Sequence, residues 1–356
     1  MTHQAIGDLF SLAKGRKAPE VFEESAEGID RYIQIEDLRS DSEMKYAKDA
    51  IGTKVVSTDI CIAWDGANAG TVGYGLTGLI GSTIARLRPV DVRRAFTPYV
   101  ARYLQGKFEV LNQSTTGATI PHVSRDKLLG LKLALPQYDE QRRIAAILDK
   151  ADAIRKKRRD ALMLADEFLR SVYLSAVKSA QDVSASTLSL LDIFGITTGK
   201  LDSNAAEKGG IYPFFTCAQE TSKINSYAFD REALLLAGNN ANGDYSIKHY
   251  KGKFNAYQRT YVLSLKDERH SYGFFKYAVE SKLSELKRMS KGSNTKYLTL
   301  GILAEQRLIV PDEEIQLRFA FAYQKVEALK QSLHGHLTVT NDLFLSLSNR
   351  AFQGQL

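Results

Sequence analysis

Two stretches rich in asparagine and glycine are the segments of this chain best suited to contact a ligand. They are Asp65-Gly66-Ala67-Asn68-Ala69-Gly70 and Gly238-Asn239-Asn240-Ala241-Asn242-Gly243, and each follows an apolar run. An asparagine amide carries a donor and an acceptor side by side, the pattern that matches the major-groove edge of adenine. Asn68, Asn239, Asn240 and Asn242 are therefore candidate base-reading residues. A tight turn that needs positive φ explains the same glycines without any ligand. Two further polar loops, Ser114 to Thr119 and Lys291 to Lys296, hold Thr116, Ser293 and Asn294. They read either as phosphate- or base-contacting loops or as plain connections from helix to strand. Arg16 and Lys17 follow Gly15, Lys200 follows Gly199, and Lys291 and Lys296 flank the last loop. These five cations have the chemistry to meet phosphates.

Catalytic signals are mostly missing from the sequence. There is no Asn-Pro-Pro-Tyr-type methyltransferase motif, no phosphate-gripping loop, no nuclease cluster of carboxylates and lysine, and no HExxH. No catalytic residue and no metal ligand is assigned. His334 and His336 are two apart and cannot share a helix face. The densest basic run, Arg155 to Arg159, reads either as a solvated helix face or as a contact for phosphate or an acidic partner.

These segments are positioned by a chain written twice. Gly117, Pro136 and Ala176 return as Gly292, Pro311 and Ala351, each 175 residues later (292 less 117, 311 less 136, 351 less 176). Gly15 and Gly199 are 184 apart (199 less 15), so the upstream parts differ by a short insertion. A repeat of this length is a whole domain with its helix, and two copies can pack about a pseudo-twofold axis. Val55 to Trp64, Ser82 to Leu87, Ala233 to Ala237 and Thr260 to Leu265 read as strands, and Tyr99 to Leu111 and Phe274 to Leu286 as short helices. Ser179 to Thr187, small and polar, reads as the linker between the halves.

After each proline comes a long amphipathic run. Ile147, Ala151, Ile154, Arg158, Ala161, Ala165, Phe168 and Val172 keep one heptad phase, and Ala322, Val326, Leu329, Leu333, His336, Thr340, Leu343 and Leu347 repeat it. That pattern predicts two helices of roughly 34 residues paired as an antiparallel coiled coil, a ruler between the domains. Two ordinary amphipathic helices on separate cores remain the competing reading.

The expected fold is α+β: domains at 1–138 and 188–311, each followed by a spacer helix at 139–178 and 312–352. With 356 residues, 44% hydrophobic, more than one core can form. No apolar run approaches membrane-spanning length, so no membrane association and a cytoplasmic location are expected. Cys61 and Cys217 read as buried free thiols rather than a disulfide framework. A formal charge of +7 permits a nucleic-acid partner without demanding one.

Leu135-Pro136 followed by Asp139 to Asp152, with the ending Leu343 to Leu347, Arg350 to Phe352 and Gly354, resembles the shared regions of the specificity subunits of type I restriction-modification systems. The resemblance implies two target-recognition domains, each reading one half of a split, asymmetric sequence in double-stranded DNA. It implies helices that serve as spacer and as docking surface for methyltransferase subunits, expected to be two, with Ile147, Ile154, Phe168, Leu329 and Leu343 as the partner-facing residues. It implies restriction subunits in a larger complex, a chain with no turnover of its own, and S-adenosylmethionine, ATP and Mg confined to partner subunits. The second helix departs from the pattern, with Leu317 and Phe319 in the places of Arg142 and Ile144. Two other functions compete: a stand-alone DNA-modifying or DNA-cleaving enzyme with a divergent site, and a coiled-coil scaffold that binds only protein.

Overall fold

A computed structural model describes residues 2–113, 122–182 and 185–355. The chain forms two compact units, Met1–Arg159 with Gly335–Leu356, and Asp160–His334. Each combines a mixed α/β domain with stretches of two long helices, Tyr138–Asp182 and Glu313–Phe352. The helices are 45 and 40 residues long, longer than the heptad pattern predicts.

In the first unit Thr2–Ala5 pairs antiparallel with Lys132–Leu135, so the strand leading into the domain lies beside the strand leading out. A four-stranded sheet follows the order Phe10–Lys14, Ile84–Pro89, Ile60–Ala63, Val72–Tyr74. Ile60–Ala63 is buried at all four positions, as expected of an apolar run covered on both faces. The expected strand from Val55 to Trp64 is two strands, because Asp59 accepts a hydrogen bond from the Val56 N–H at 2.9 Å and turns the chain between them. Helix Thr97–Gln105 adds Tyr99, Val100 and Leu104 to the core, which Ile144, Leu148 and Ala351 of the long helices complete.

The second unit repeats the plan. Ser186–Ser189 pairs with Arg307–Val310, and a six-stranded sheet runs in the order Phe194–Thr198, Thr260–Leu265, Phe229–Ala237, Ile247–Ala256, Tyr212–Phe215, Ser222–Ile224. Helix Tyr272–Ser281 buries Phe274, Phe275, Ala278 and Val279. A separate small core of Phe215, Phe229, Leu235, Phe254 and Val262 fills the sheet's other side. The expected linker, Ser179 to Thr187, is corrected: the first long helix continues to Asp182 around the buried Ala180, and Ser186 already belongs to a strand.

Each long helix is clipped to its domain by an equivalent buried glutamine. Gln141 accepts from the Phe96 N–H at 2.8 Å and donates to the carbonyls of Arg94 and Pro136 at 3.0 and 2.9 Å. Gln316 accepts from the Ser271 N–H at 2.9 Å and donates to the Pro311 carbonyl at 2.7 Å. Both are 1% exposed. Each amide thus satisfies backbone groups that would otherwise be stranded at a helix start.

The helices pair antiparallel within each unit. Arg155 and Arg158 reach Asn341 and the His336 carbonyl in the first, and Asp166 and Tyr173 face Lys330 and Phe319 in the second. The expected seam needs one correction. Ala165 and Thr340 are buried and Arg158, Val172, Leu333 and Leu347 half-buried, but Ile154, Phe168, Leu329 and Leu343 are 48 to 55% exposed. The inward positions lie one residue later, at Arg155, Leu162 and Leu169 and again at Lys330, Leu337 and Phe344. Charge conceals them from an apolar pattern: Arg155 lies over the Phe344 ring at 4.3 Å, and Lys330 bridges Asp166 and Glu327 at 2.7 and 2.8 Å.

Candidate nucleic-acid interface

In the second unit the structure gathers two of the predicted loops into one surface. Asn239–Asn240 pairs antiparallel with Lys296–Tyr297, so the asparagine loop and the lysine loop share a short ladder. Reciprocal backbone bonds between Lys291 and Tyr297 close the second loop, and Gly292 at its turn has φ +97, where a Cβ would lie 2.1 Å from the Thr295 carbonyl oxygen. Asn242, Lys291, Ser293 and Asn294 are exposed, while Asn239, Asn240 and Lys296 are half-buried. The Asn240 oxygen accepts from the N–H groups of Asn242 and Asp244 at 2.8 and 3.2 Å, which shapes the turn. Lys287 pairs with Asp244 at 2.6 Å on its flank. Lys200 is exposed and is followed by Leu201, which bridges to Tyr257. A polar cavity of about 270 Å³, lined by Thr198, Gly238, Gln258, Arg259, Tyr261 and Leu298, adjoins both Lys200 and Asn239 in sequence.

The first unit presents its candidates differently. Lys17 is exposed, but Arg16 is ion-paired at 3.1 Å with Asp49, whose side chain is 5% exposed. Asn68 is held by Arg39, and Lys14 pairs with Asp65 at 3.2 Å while lying 5.7 Å above the Trp64 ring. Asn112 donates to the carbonyls of Ala67 and Ala69 at 3.3 and 2.9 Å, fixing the loop backbone on both sides of Asn68. Thr116 and its loop lie outside the described residues. The matched glycines before Arg16 and Lys200 have a packing cause: a Cβ would lie 2.2 Å from the Gly81 oxygen at Gly15, and 1.7 Å from the Ala256 oxygen at Gly199.

Sequence reasoning missed Arg39, Lys14, Arg259 and Lys287. Only Lys14 had a usable signal, since it immediately precedes the matched Gly15. Two of the five residues in the basic run, Arg155 and Arg158, are spent on the helix pair. Burial pushes the Cys61 thiol up to about 12, while Cys217 is half-buried. Among the described residues there is no group that could hold a metal ion, and no helix long and apolar enough to cross a membrane.

On the long helices, Ile154, Phe168, Leu329 and Leu343 are exposed and Ile147 is half-buried. Each unit exposes an equivalent triplet: Ile154, Val339 and Leu343 in the first, Leu329, Leu164 and Phe168 in the second. Phe168 also borders a cavity of about 500 Å³ between the two helices of the second unit, beside Val172, Ile315 and Phe319, and solvent-facing apolar residues repeated in register suit a protein partner.

A family model for the type I restriction modification DNA specificity domain matches the chain twice, over residues 2–163 and 185–337. The type I restriction enzyme EcoDI specificity subunit of Escherichia coli is 42% identical over 137 residues, which cover 38% of this chain and 29% of that protein. The MjaVIII specificity subunit of Methanocaldococcus jannaschii is 33% identical over 148 residues, covering 41% of this chain and 35% of that one. The matched stretches thus span well under half the length of these relatives. Among solved structures, the type I restriction-modification S subunit from M. genitalium shares the fold, with a TM-score of 0.68 at 18% identity over 99% of this chain and 96% of that one.

Proposed function

The chain belongs to the type I restriction-modification DNA specificity family, and from that premise we propose that it is a non-catalytic subunit that recognises a split, asymmetric target in double-stranded DNA. Each α/β domain reads one half-site. The observation that carries this reading is the double match: one family domain falls on each of two domains that are built alike and clipped alike to a long helix. In the second unit, Asn239 and Asn242 supply base-reading amides, and Lys291, Lys296 and Lys200 supply phosphate contacts, with Ser293 and Asn294 beside them. In the first, Asn68 and Lys17 take those roles.

The exposed apolar triplets on the helices receive methyltransferase subunits, two in number because the triplet occurs twice. Ile147, half-buried two turns before Ile154 on the same helix, adds to that contact. Restriction subunits join through that assembly. Methyl transfer from S-adenosylmethionine and the use of ATP and Mg belong to the partners. The assembly works in the cytoplasm.

The test is to sequence the methylated positions of a host that carries this chain with its methyltransferase subunits. A two-part, non-palindromic motif is expected; a continuous motif, or methylation by the purified chain alone, would overturn the proposal. Replacing Lys291 or Lys296 with alanine should weaken binding to all sequences alike and lower the salt slope by about one unit each. Sequence preference that changes while the salt slope stays constant would remove the lysines from the phosphate role.

A further inference from the structure

We propose that Asn68 reads guanine rather than adenine, because Arg39 occupies one lone pair of its carbonyl oxygen and sets a positive guanidinium where the adenine N6 donor would have to approach, while the two amide N–H groups stay available for the paired acceptors N7 and O6. This inference rests on the reading above that the loop 65–70 faces DNA. A free asparagine suits adenine because its oxygen accepts from N6 while its nitrogen donates to N7. Asn68 is not free in that sense. The Arg39 guanidinium has donors only, so the group 3.0 Å from it must be the Asn68 oxygen. The same Arg39 nitrogen donates to the Thr71 hydroxyl at 3.1 Å, so two acceptors on one loop hold it in place.

The loop itself is not free to turn the amide over. Asn112 fixes the carbonyls on either side of Asn68, and the Asn68 carbonyl accepts from the Thr71 N–H at 3.1 Å. The Asn68 amide nitrogen has no hydrogen-bond partner among the described residues and remains available to DNA. Facing adenine, it would find one acceptor and an N6 donor that must share the Asn68 oxygen with the Arg39 guanidinium. Facing guanine, both of its N–H groups find acceptors. Arg39 is thus a positioning residue that sets hydrogen-bond polarity at a neighbour 29 residues away.

The second unit uses the same device once. Here it goes further: both lone pairs of the Asn240 oxygen are taken, by the N–H groups of Asn242 and Asp244, so Asn240 can only donate. Asn239 and Asn242 keep both ends of their amides uncommitted among the described residues. The two half-sites should therefore differ in how strongly they favour adenine.

The experiment is to sequence the methylated motif in a host carrying the full chain with its methyltransferase subunits, for the wild type, Asn68→Ala and Arg39→Ala. Asn68→Ala should relax a single position of one half-site, a G·C pair in the wild-type motif, with about tenfold loss of discrimination there. Arg39→Ala, which frees the oxygen, should admit A·T at that same position. The other half-site should stay unchanged in both and so reports that the chain is folded. An A·T pair at the relaxed position in the wild type overturns the guanine assignment. So does Arg39→Ala weakening all sequences alike, which would make Arg39 a phosphate contact. A motif untouched by Asn68→Ala has a different meaning: the loop does not read bases, and the underlying assignment of the interface to Asn68 fails with it.

Discussion

In the first unit Arg102 ties helix Thr97–Gln105 to the first long helix, donating to Asp149 and Asp152 at 2.8 and 2.9 Å. It also lies 5.7 Å from the Tyr74 ring, whose hydroxyl donates to Asp149 at 2.8 Å and is pushed up to about 12 by burial. In the second unit, 175 residues later, Tyr277 stands where Arg102 stood, Phe319 replaces Ile144 and Tyr323 replaces Leu148. Together with Tyr173 and Phe274 they form an aromatic cluster with ring centroids 5.1 to 6.1 Å apart. Around both junctions the glutamine clip and the antiparallel helix line are the same. What this architecture demands, then, is the clip and the line; the angle between helix and domain can be filled ionically or aromatically. The two fillings answer to different conditions, since salt weakens the first and does not weaken the second.

The largest effect should come from the aromatic side. Phe319→Ala removes a fully buried ring at the centre of the cluster and should cost about 3 to 5 kcal/mol in denaturant unfolding, with no reduction in high salt. A loss under about 1 kcal/mol would mean that the cluster is not what holds this junction. Next come the clips. Gln141→Leu and Gln316→Leu each strand buried backbone groups, and each should cost about 2 kcal/mol. Unequal costs would show that the shared clip has become less necessary in one unit. Arg102→Met should cost less, about 1 to 2 kcal/mol, because Asp149 and Asp152 are 45% and 35% exposed and can hydrate once the arginine is gone. That cost should shrink in 1 M salt, and a salt-independent value would argue for packing rather than charge.

The smallest effect concerns pH. Burial holds the His270 imidazole below its ordinary value of 6.5, next to the Gln316 clip; the equivalent residue in the first unit is Ala95. A depressed histidine binds fewer protons folded than unfolded, so its contribution is present above about pH 6.5 and is lost as pH falls below it. Amide hydrogen exchange at the start of helix Tyr272–Ser281 should accelerate in that range, while the start of Thr97–Gln105 should not. Equal acceleration in both helices would assign the acid response elsewhere.

The repeat was legible because its offset is constant, and the structure gives the same offset to finer features. Ser124 and Thr299, 175 apart, cap equivalent short helices by accepting from Lys127 and Ile302 N–H groups. Gln141 and Gln316 could likewise be matched by position, although nothing in their type announced that each makes three hydrogen bonds. The asparagine and lysine loops of the second unit meet on one surface through the pairing of Asn239–Asn240 with Lys296–Tyr297, which neither loop announces by itself. The seam phase was misread for a physical reason: Arg155 and Lys330 bury their stems and keep their charges satisfied, so inward positions look polar. In the first unit, Arg39 with Asn68 and Arg16 with Asp49 are long-range pairings, and no period or motif in the chain encodes them.

The strands that lead into and out of each domain are hydrogen-bonded neighbours, Thr2–Ala5 with Lys132–Leu135 and Ser186–Ser189 with Arg307–Val310, each over four residue pairs. Chain termini of an inserted segment that lie side by side make that segment exchangeable, because the gap it must span does not depend on what it contains. Each α/β domain is in effect a cassette mounted on a two-strand socket. A foreign domain spliced at these strands would keep Gln141 or Gln316 with the helices, bring its own loops, and have to supply the backbone groups that Phe96 and Arg94, or Ser271, offer the clip here. Under the proposed function, new specificity in one half then arises by transplantation in a single step rather than by accumulated substitutions.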